Sequence, residues 1–146
     1  MLKVITSWDD GGKHDIKLAL LLQKYEIPAI FFIPTMNALN DKQISFLADN
    51  FELGGHTTTH PEDLKTLNNK DQYNEIKDNK DFVEQFTDYP LRWFAYPAGR
   101  YDPNITCKLV RDAGFLYART TLVEYWDRIN ILDFRVKTTM HIHTRP

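Results

Sequence analysis

Apolar residues occur along this chain in short runs that alternate with amphipathic stretches. Residues 3–8 and 29–33 have the length and composition of strands, and the second run is continuously apolar, as in a strand covered on both faces. Residues 16–25, between them, are apolar over most of a helical surface, and Asp15 is the expected cap of that helix. A strand, a helix and a second strand in this order predict parallel strands joined by a crossover helix.

The same alternation continues along the rest of the chain. Further strands are predicted at residues 51–55, 93–96, 115–120 and 134–143. Helices are predicted after a cap at Asp41, over residues 64–86 as one long helix or two shorter ones, and from Pro103 to a terminating Gly114. Because no repeat, low-complexity stretch or linker interrupts the pattern, we expect an α/β fold in which residues 1–146 form one domain.

Composition excludes several classes of function. The chain has 146 residues, 42% hydrophobic and 26% charged, with a net charge of −2, which describes an ordinary globular protein. That charge favours neither nucleic acid nor an anionic membrane as a partner, and the sequence leaves the oligomeric state open. The first residues are too polar for a signal peptide, so we expect a cytoplasmic protein, or a secreted one if a longer parent carries the signal. Cys107, the one cysteine, is expected to be a small apolar residue of a helix.

Residues with reactive side chains cluster just after the predicted strands. Asp9 and Asp10, the segment 56–60 and the turn 97–99 come directly after such runs, and His141 lies near the end of the last one. Since the carboxyl ends of parallel strands meet at one edge of the sheet, we expect these groups to gather there.

Two of these groups together suggest a metal site. His56 and His60 are four residues apart, a spacing that puts both imidazoles on one face of a helical turn and is used to chelate zinc. The alternative is two unrelated surface histidines. Adjacent Asp9 and Asp10 repel unless a cation or hydrogen bonds compensate, and the alternative for them is a solvated turn. Asp10, His56 and His60 would form a three-ligand site for zinc, or for cobalt, nickel or iron, which leaves Asp9 free as a general base.

The residues also resemble a known family. Segment 7–11 (SWDDG) and segment 56–60 (HTTTH) resemble the first two motifs of the polysaccharide deacetylases, carbohydrate esterase family four with its NodB-like domain. Segment 94–99 looks like the third motif, and segment 113–120 resembles the stretch that comes after the third motif in that family. The resemblance implies a distorted (β/α) barrel of about seven mostly parallel strands, incomplete if the shortness of this chain removes part of it.

The resemblance also assigns roles to individual residues. It implies that Asp9 is the catalytic base, that Asp10, His56 and His60 bind a divalent metal, and that the backbone N–H of Ala98 stabilises an oxyanion. It implies a late histidine after an apolar residue as the acid that protonates the leaving amine. His141 fits that pattern, and His143 competes with it because alternate residues of a strand face the same side.

The third motif departs from the family pattern at Ala98, where the family often has tyrosine, and at Ala95. Ala95 stands where the family usually has an arginine that holds the base, and Arg92 and Arg119 are the candidates to replace it. Near the loops, Tyr96, Pro97 and Trp126 are expected substrate contacts, with a place in the core as the alternative for the aromatic rings.

The function expected from these observations is metal-dependent removal of N-acetyl groups from an N-acetylated sugar or polysaccharide. One alternative is hydrolysis of another non-peptide C–N bond or of an O-acetyl ester on the same fold. The other is a carbohydrate-binding relative that has lost turnover.

Overall fold

The computed structural model describes residues 5–123 and 134–138, in which six strands form one sheet. The strands lie side by side in chain order, and every neighbouring pair is parallel. They are β1 (Thr6–Asp9), β2 (Ala29–Ile33), β3 (Glu52–Gly55), β4 (Trp93–Ala95), β5 (Tyr117–Val123) and β6 (Val136–Thr138). The helices are α1 (Asp15–Lys24), α2 (Asp41–Asn50), α3 (Asn69–Val83) and α4 (Thr106–Asp112). The sheet curls into half of a barrel, which confirms the prediction of an incomplete α/β barrel.

Strand β2 is apolar throughout because both of its faces are covered. Phe31 and Ile33 point into the main core, which lies between the sheet and the helices. Ile30 and Phe32 point to the concave face, where they pack with Ala95. All five residues of the strand are buried, as its unbroken apolar run predicted.

The pairing register brings the ends of the first three strands to one level. Asp9 pairs with Phe32, and Phe32 in turn pairs with Gly54. Asp10 and His56 therefore leave the sheet at the same edge, one residue and two residues beyond this row.

Two of the predicted helix caps were wrong by one residue. The cap of α2 is Asn40, whose side chain accepts a hydrogen bond from the Gln43 N–H, while the Gln43 side chain accepts one from the Asn40 N–H. This reciprocal pair satisfies two backbone N–H groups at the start of the helix. Asp41 lies inside the first turn and does not cap them. Helix α1 follows His14, and Asp15 is its first residue, with a carboxylate that accepts a hydrogen bond from the Gly12 N–H.

The other helices begin later or are shorter than their patterns suggested. The predicted segment 64–86 is one α-helix, α3, flanked by single 3-10 turns at Leu64–Thr66 and Glu84–Phe86. Helix α4 begins at Thr106 rather than Pro103, because the Asp102 carboxylate accepts hydrogen bonds from the backbone N–H groups of residues 104 and 105 and holds them in a turn. Gly114 follows α4 with a φ of 93°, as predicted for a helix-ending glycine.

No helix in the described part of the chain combines the length and apolar content needed to cross a membrane.

Gly55, the last residue of β3, provides a test of how tightly the carboxyl end of this strand is packed. A Cβ atom at Gly55 would lie 2.7 Å from Cζ of Phe115 and 3.0 Å from Oδ1 of Asn79. We expect Gly55→Ala to lower the free energy of unfolding by about 1–3 kcal/mol, the usual cost of overpacking. Gly12→Ala is the matched control, since the nearest atom to its added Cβ is 3.5 Å away. Urea unfolding measures both, and equal midpoints for the two variants would contradict the packing argument.

Candidate metal centre

The three predicted metal ligands converge at the carboxyl edge of the sheet. Asp10 follows β1, while His56 and His60 lie in the loop after β3. One ligand atom from each of these residues lies within 4.8 Å of the other two. Asp10 Oδ1 is 3.3 Å from Nε2 of His56 and 3.3 Å from Nε2 of His60. Residues up to fifty positions apart in the sequence thus present a carboxylate and two imidazoles to one point.

Hydrogen bonding to His56 shows that a cation fits this point. Nδ1 of His56 lies 2.8 Å from the carbonyl oxygen of Ala95, which can only accept, so Nδ1 carries the proton. In a neutral imidazole Nε2 is then an acceptor, and it faces the Asp10 carboxylate, which is also an acceptor. A proton or a metal cation between them resolves this conflict. The carbonyl behind the ring is the kind of outer partner that fixes metal-binding histidines.

The ligands differ in their access to solvent. The His56 side chain is 2% exposed, that of His60 36% and that of Asp10 67%, so the site is anchored on one side and open on the other. With a proton between Asp10 and Nε2 of His56, the resulting hydrogen bond is the main cause that lowers the pKa of Asp10, and the nearby His56, His60 and Arg119 charges act in the same direction. Together they outweigh the opposing effect of burial, so Asp10 is ionised and ready to bind a cation.

A tight loop, rather than the helical turn suggested by the four-residue spacing, brings the imidazoles together. Thr57 has a φ of 67° and His60 a φ of 52°, both in the left-handed region, so residues 56–60 cannot form a right-handed helical turn. The Thr57 hydroxyl donates to the carbonyl of His56 and accepts from the N–H of His60. The two rings meet edge to face with centroids 4.8 Å apart.

Asp9 is not part of this ligand cluster, and its carboxylate pairs with Arg119 instead. Nη2 of Arg119 lies 2.5 Å from both carboxylate oxygens of Asp9. The guanidinium also lies over the ring of Phe32, 5.0 Å from its centroid, and the arginine side chain is only 8% exposed. Adjacent Asp9 and Asp10 therefore have separate partners, which relieves their repulsion.

The other arginine candidate lies at the opposite edge of the sheet. Arg92 pairs with Glu52 at 3.0 Å, at the start of β3, and its side chain is 56% exposed. Of the two candidates, the structure therefore brings only Arg119 to Asp9. The sequence offered no way to choose, since Arg119 is 110 residues from Asp9.

The third motif divides between the core and the open edge. Tyr96 is 1% exposed, and its hydroxyl donates to the carbonyl of Phe134, so its ring packs in the core rather than presenting a face to a sugar. Pro97 is also buried. Ala98 is exposed, with a φ of 49°, at the end of β4, and its N–H remains the predicted oxyanion donor.

Three predicted site residues lie outside the described part of the chain: His141, His143 and Trp126.

Comparison with known families identifies the chain. A family model described as polysaccharide deacetylase matches residues 3–118, which include all three candidate ligands and Asp9. The chain belongs to the polysaccharide deacetylase family. The resemblance noted in the sequence motifs is thereby confirmed. No curated protein sequence gave a significant match to this deacetylase-family chain.

Solved structures share the fold of this polysaccharide deacetylase family member. The Streptococcus pyogenes deacetylase PplD, in complex with acetate, superposes with a TM-score of 0.80 at 23% identity over 90% of this chain and 61% of that one. The polysaccharide deacetylase BC0361 of Bacillus cereus has a TM-score of 0.73 at 23% identity over 90% of this chain and 45% of that one. BA3943 of Bacillus anthracis, a CE4 family pseudoenzyme, has a TM-score of 0.68 at 24% identity over 77% of this chain and 41% of that one. The chain thus spans less than two thirds of the length of these structures.

The two arginines provide a matched test of the interaction at Asp9. We expect Arg119→Met to lower the free energy of unfolding by about 3 kcal/mol, because it leaves a half-buried carboxylate beside Asp10 without its partner. Arg92→Met breaks an exposed pair and should cost less than about 1 kcal/mol. Chemical denaturation measures the free energy of unfolding of both variants. A similar decrease in the two would show that the Arg119–Asp9 pair does not stabilise the fold more than the exposed Arg92–Glu52 pair.

A buried carboxyl near the site should make stability depend on pH. Burial of Asp15 raises its pKa to about 6, although the Gly12 N–H opposes this, and the charges of Asp10 and Asp9 raise it further. The folded protein therefore holds the Asp15 proton more tightly than the unfolded chain, where the pKa is near 3.8. Stability from this group is fully present below pH 4 and is lost as the pH rises through about 6.

Asp15→Asn should remove this dependence. We expect the free energy of unfolding of the wild type to fall by about 1–2 kcal/mol more than that of the variant between pH 4 and pH 7. Urea titrations with a chelator present, so that no cation binds Asp10, measure the difference. Parallel pH profiles for the two proteins would contradict it.

Proposed function

We propose that this chain is a metal-dependent hydrolase that removes acetyl groups from an N-acetylated sugar or polysaccharide. The observation that supports this most strongly is that Asp10, His56 and His60 bring their ligand atoms together. Asp9, the residue next to Asp10, forms an ion pair with Arg119. Membership of the polysaccharide deacetylase family gives the carbohydrate class of substrate. PplD, whose structure holds acetate, is named a deacetylase.

Asp10, His56 and His60 would hold the divalent cation, with zinc expected first and cobalt, nickel or iron as alternatives. Two imidazoles and one carboxylate leave coordination positions free on the exposed side of Asp10. When bound, the metal would polarise the acetyl carbonyl and promote ionisation of an attacking water.

The protein groups around the cation supply the remaining chemistry. Asp9 takes the proton from the attacking water, and Arg119 holds the Asp9 carboxylate in place. The N–H of Ala98, exposed at the end of β4, stabilises the developing oxyanion. His141, with His143 as the alternative, protonates the leaving amine of the sugar.

A specific observation supports one second candidate. BA3943, a CE4 family pseudoenzyme, has a similar fold, so a family member can keep this architecture without turnover. This chain would then bind carbohydrate only. The Asp9–Arg119 pair favours the enzyme, because binding alone does not require a carboxylate held ready as a base beside the ligands.

Acetate release from N-acetylglucosamine oligomers tests the proposal. The wild type should release acetate, and a chelator should stop it until zinc or cobalt is added back. Asp9→Asn should lower kcat by at least about 100-fold, because the base is lost, while the variant still binds the metal. Asp63→Asn is the control, since this carboxylate caps a 3-10 turn outside the cluster.

Two results would contradict this assignment. Binding of the oligomer without acetate release at any metal concentration would favour the carbohydrate-binding alternative. Loss of metal from Asp9→Asn would show that the roles of Asp9 and Asp10 are assigned to the wrong residues.

A further inference from the structure

A carboxylate on helix α3 holds the loop that carries the two histidines. One carboxylate oxygen of Glu75 accepts hydrogen bonds from the N–H of Thr58 at 2.9 Å and from the N–H of Thr59 at 2.8 Å. The other oxygen accepts the hydroxyl of Thr59 at 2.8 Å. These two threonines lie between His56 and His60, so Glu75 is hydrogen-bonded to the middle of the loop.

One turn further along α3, a buried amide holds the start of the same loop. Oδ1 of Asn79 accepts a hydrogen bond from the N–H of His56 at 2.7 Å. Its Nδ2 donates to the carbonyl of Ile33 at 2.9 Å and lies 3.2 Å from the Thr35 hydroxyl. Asn79 is fully buried, and it reaches the His56 backbone because Gly55 has no side chain there. It therefore joins the end of β2 to the end of β3.

The loop needs external support because its backbone is strained. Thr57 and His60 both have positive φ, which costs about 1 kcal/mol or more for a residue with a side chain. The bonds of the Thr57 hydroxyl lie within the loop and do not tie it to the rest of the fold. Glu75 accepts three hydrogen bonds from the loop, and a hydrogen bond contributes about 0.5–1.5 kcal/mol to stability. Glu75 can therefore offset much of the strain.

We propose that Glu75 is a positioning residue that keeps His56 and His60 in their metal-binding arrangement, with Asn79 as its buried support. This inference rests on the metal site of the proposed function. Glu75 makes no hydrogen bond to either imidazole and acts through the backbone N–H groups of Thr58 and Thr59 and the Thr59 hydroxyl. Helix α3 packs Ile76 and Val83 into the core, and this orientation also brings Asn79 and Glu75 within reach of the loop.

Three variants separate the hydrogen bonds of Glu75 from its charge. Glu75→Ala removes both, and alanine maintains the helix. Glu75→Gln removes the charge but keeps an oxygen for the two backbone N–H groups and gains an NH₂ group that can donate to the Thr59 hydroxyl. Asp78→Ala removes a carboxylate from an exposed position three residues along α3, where its side chain makes none of the loop contacts above.

Metal affinity is the first measurement. Titration with Co²⁺, followed by its visible absorption, should show affinity for Glu75→Ala at least about 10-fold weaker than for the wild type, as for other outer-shell changes. Glu75→Gln and Asp78→Ala should stay within about threefold of the wild type, since loop contacts rather than charge decide the effect. Wild-type affinity in Glu75→Ala, or equal losses in the alanine and glutamine variants, would overturn the proposal.

Amide hydrogen exchange of the metal-free protein is the second measurement. The N–H groups of Thr58 and Thr59 should exchange slowly in the wild type and in Glu75→Gln, and at least about 10-fold faster in Glu75→Ala. Unchanged exchange in Glu75→Ala would overturn the positioning role. If the wild type binds no Co²⁺, the proposed metal function fails, while the exchange rates still decide whether Glu75 holds the loop.

Discussion

The register between β1, β2 and β3 is the constraint on which the site depends. Asp9, Phe32 and Gly54 occupy one row of the parallel ladder, so the chain leaves β1 and β3 at the same level. A slip of one residue would turn every side chain of a strand to the other face. A slip in β1 would turn Asp9 towards the helices and away from Arg119. A slip in β2 would exchange the side chains that pack in the main core with those that pack on the concave face. Sheet pairing and site geometry are therefore set by the same backbone hydrogen bonds.

Two neighbouring carboxylates can serve different purposes because the sheet edge separates them. Asp9, still in β1, points to the concave face and meets the buried guanidinium of Arg119. Asp10, with a φ of 80°, turns out of the strand towards the imidazoles. Each charge thus has a compensating group of its own, and neither needs the other to be protonated. The aromatic face of Phe32 below the guanidinium further stabilises a cation that has little contact with water.

Much of this arrangement could be predicted from the sequence. The features that could not be predicted share one cause. The alternation of strands and helices, the parallel sheet and the gathering of Asp10, His56 and His60 follow from hydrophobic runs and from which residues come directly after them. Spacing alone could not show that residues 56–60 form a left-handed loop, because a distance of four residues also fits a helical turn. The choice of Arg119 over Arg92, and the role of Glu75, depend on contacts between distant segments. Such contacts leave no local pattern, since α3 reads in sequence only as a polar surface helix.

The backbone itself distinguishes this edge of the sheet from the rest of the fold. Among the described residues, four of the six non-glycine residues with positive φ lie here: Asp10, Thr57, His60 and Ala98. Each carries a cost of about 1 kcal/mol or more, which a structure retains only where surrounding contacts determine the conformation. Three of the four are candidate metal ligands or hold the ligand loop, and the fourth, Ala98, is an exposed residue that follows β4. Burial in the core does not account for the conformations of Asp10 and Ala98, because both residues are exposed. Within the described residues, the strained backbone is therefore concentrated where the candidate metal ligands leave the sheet.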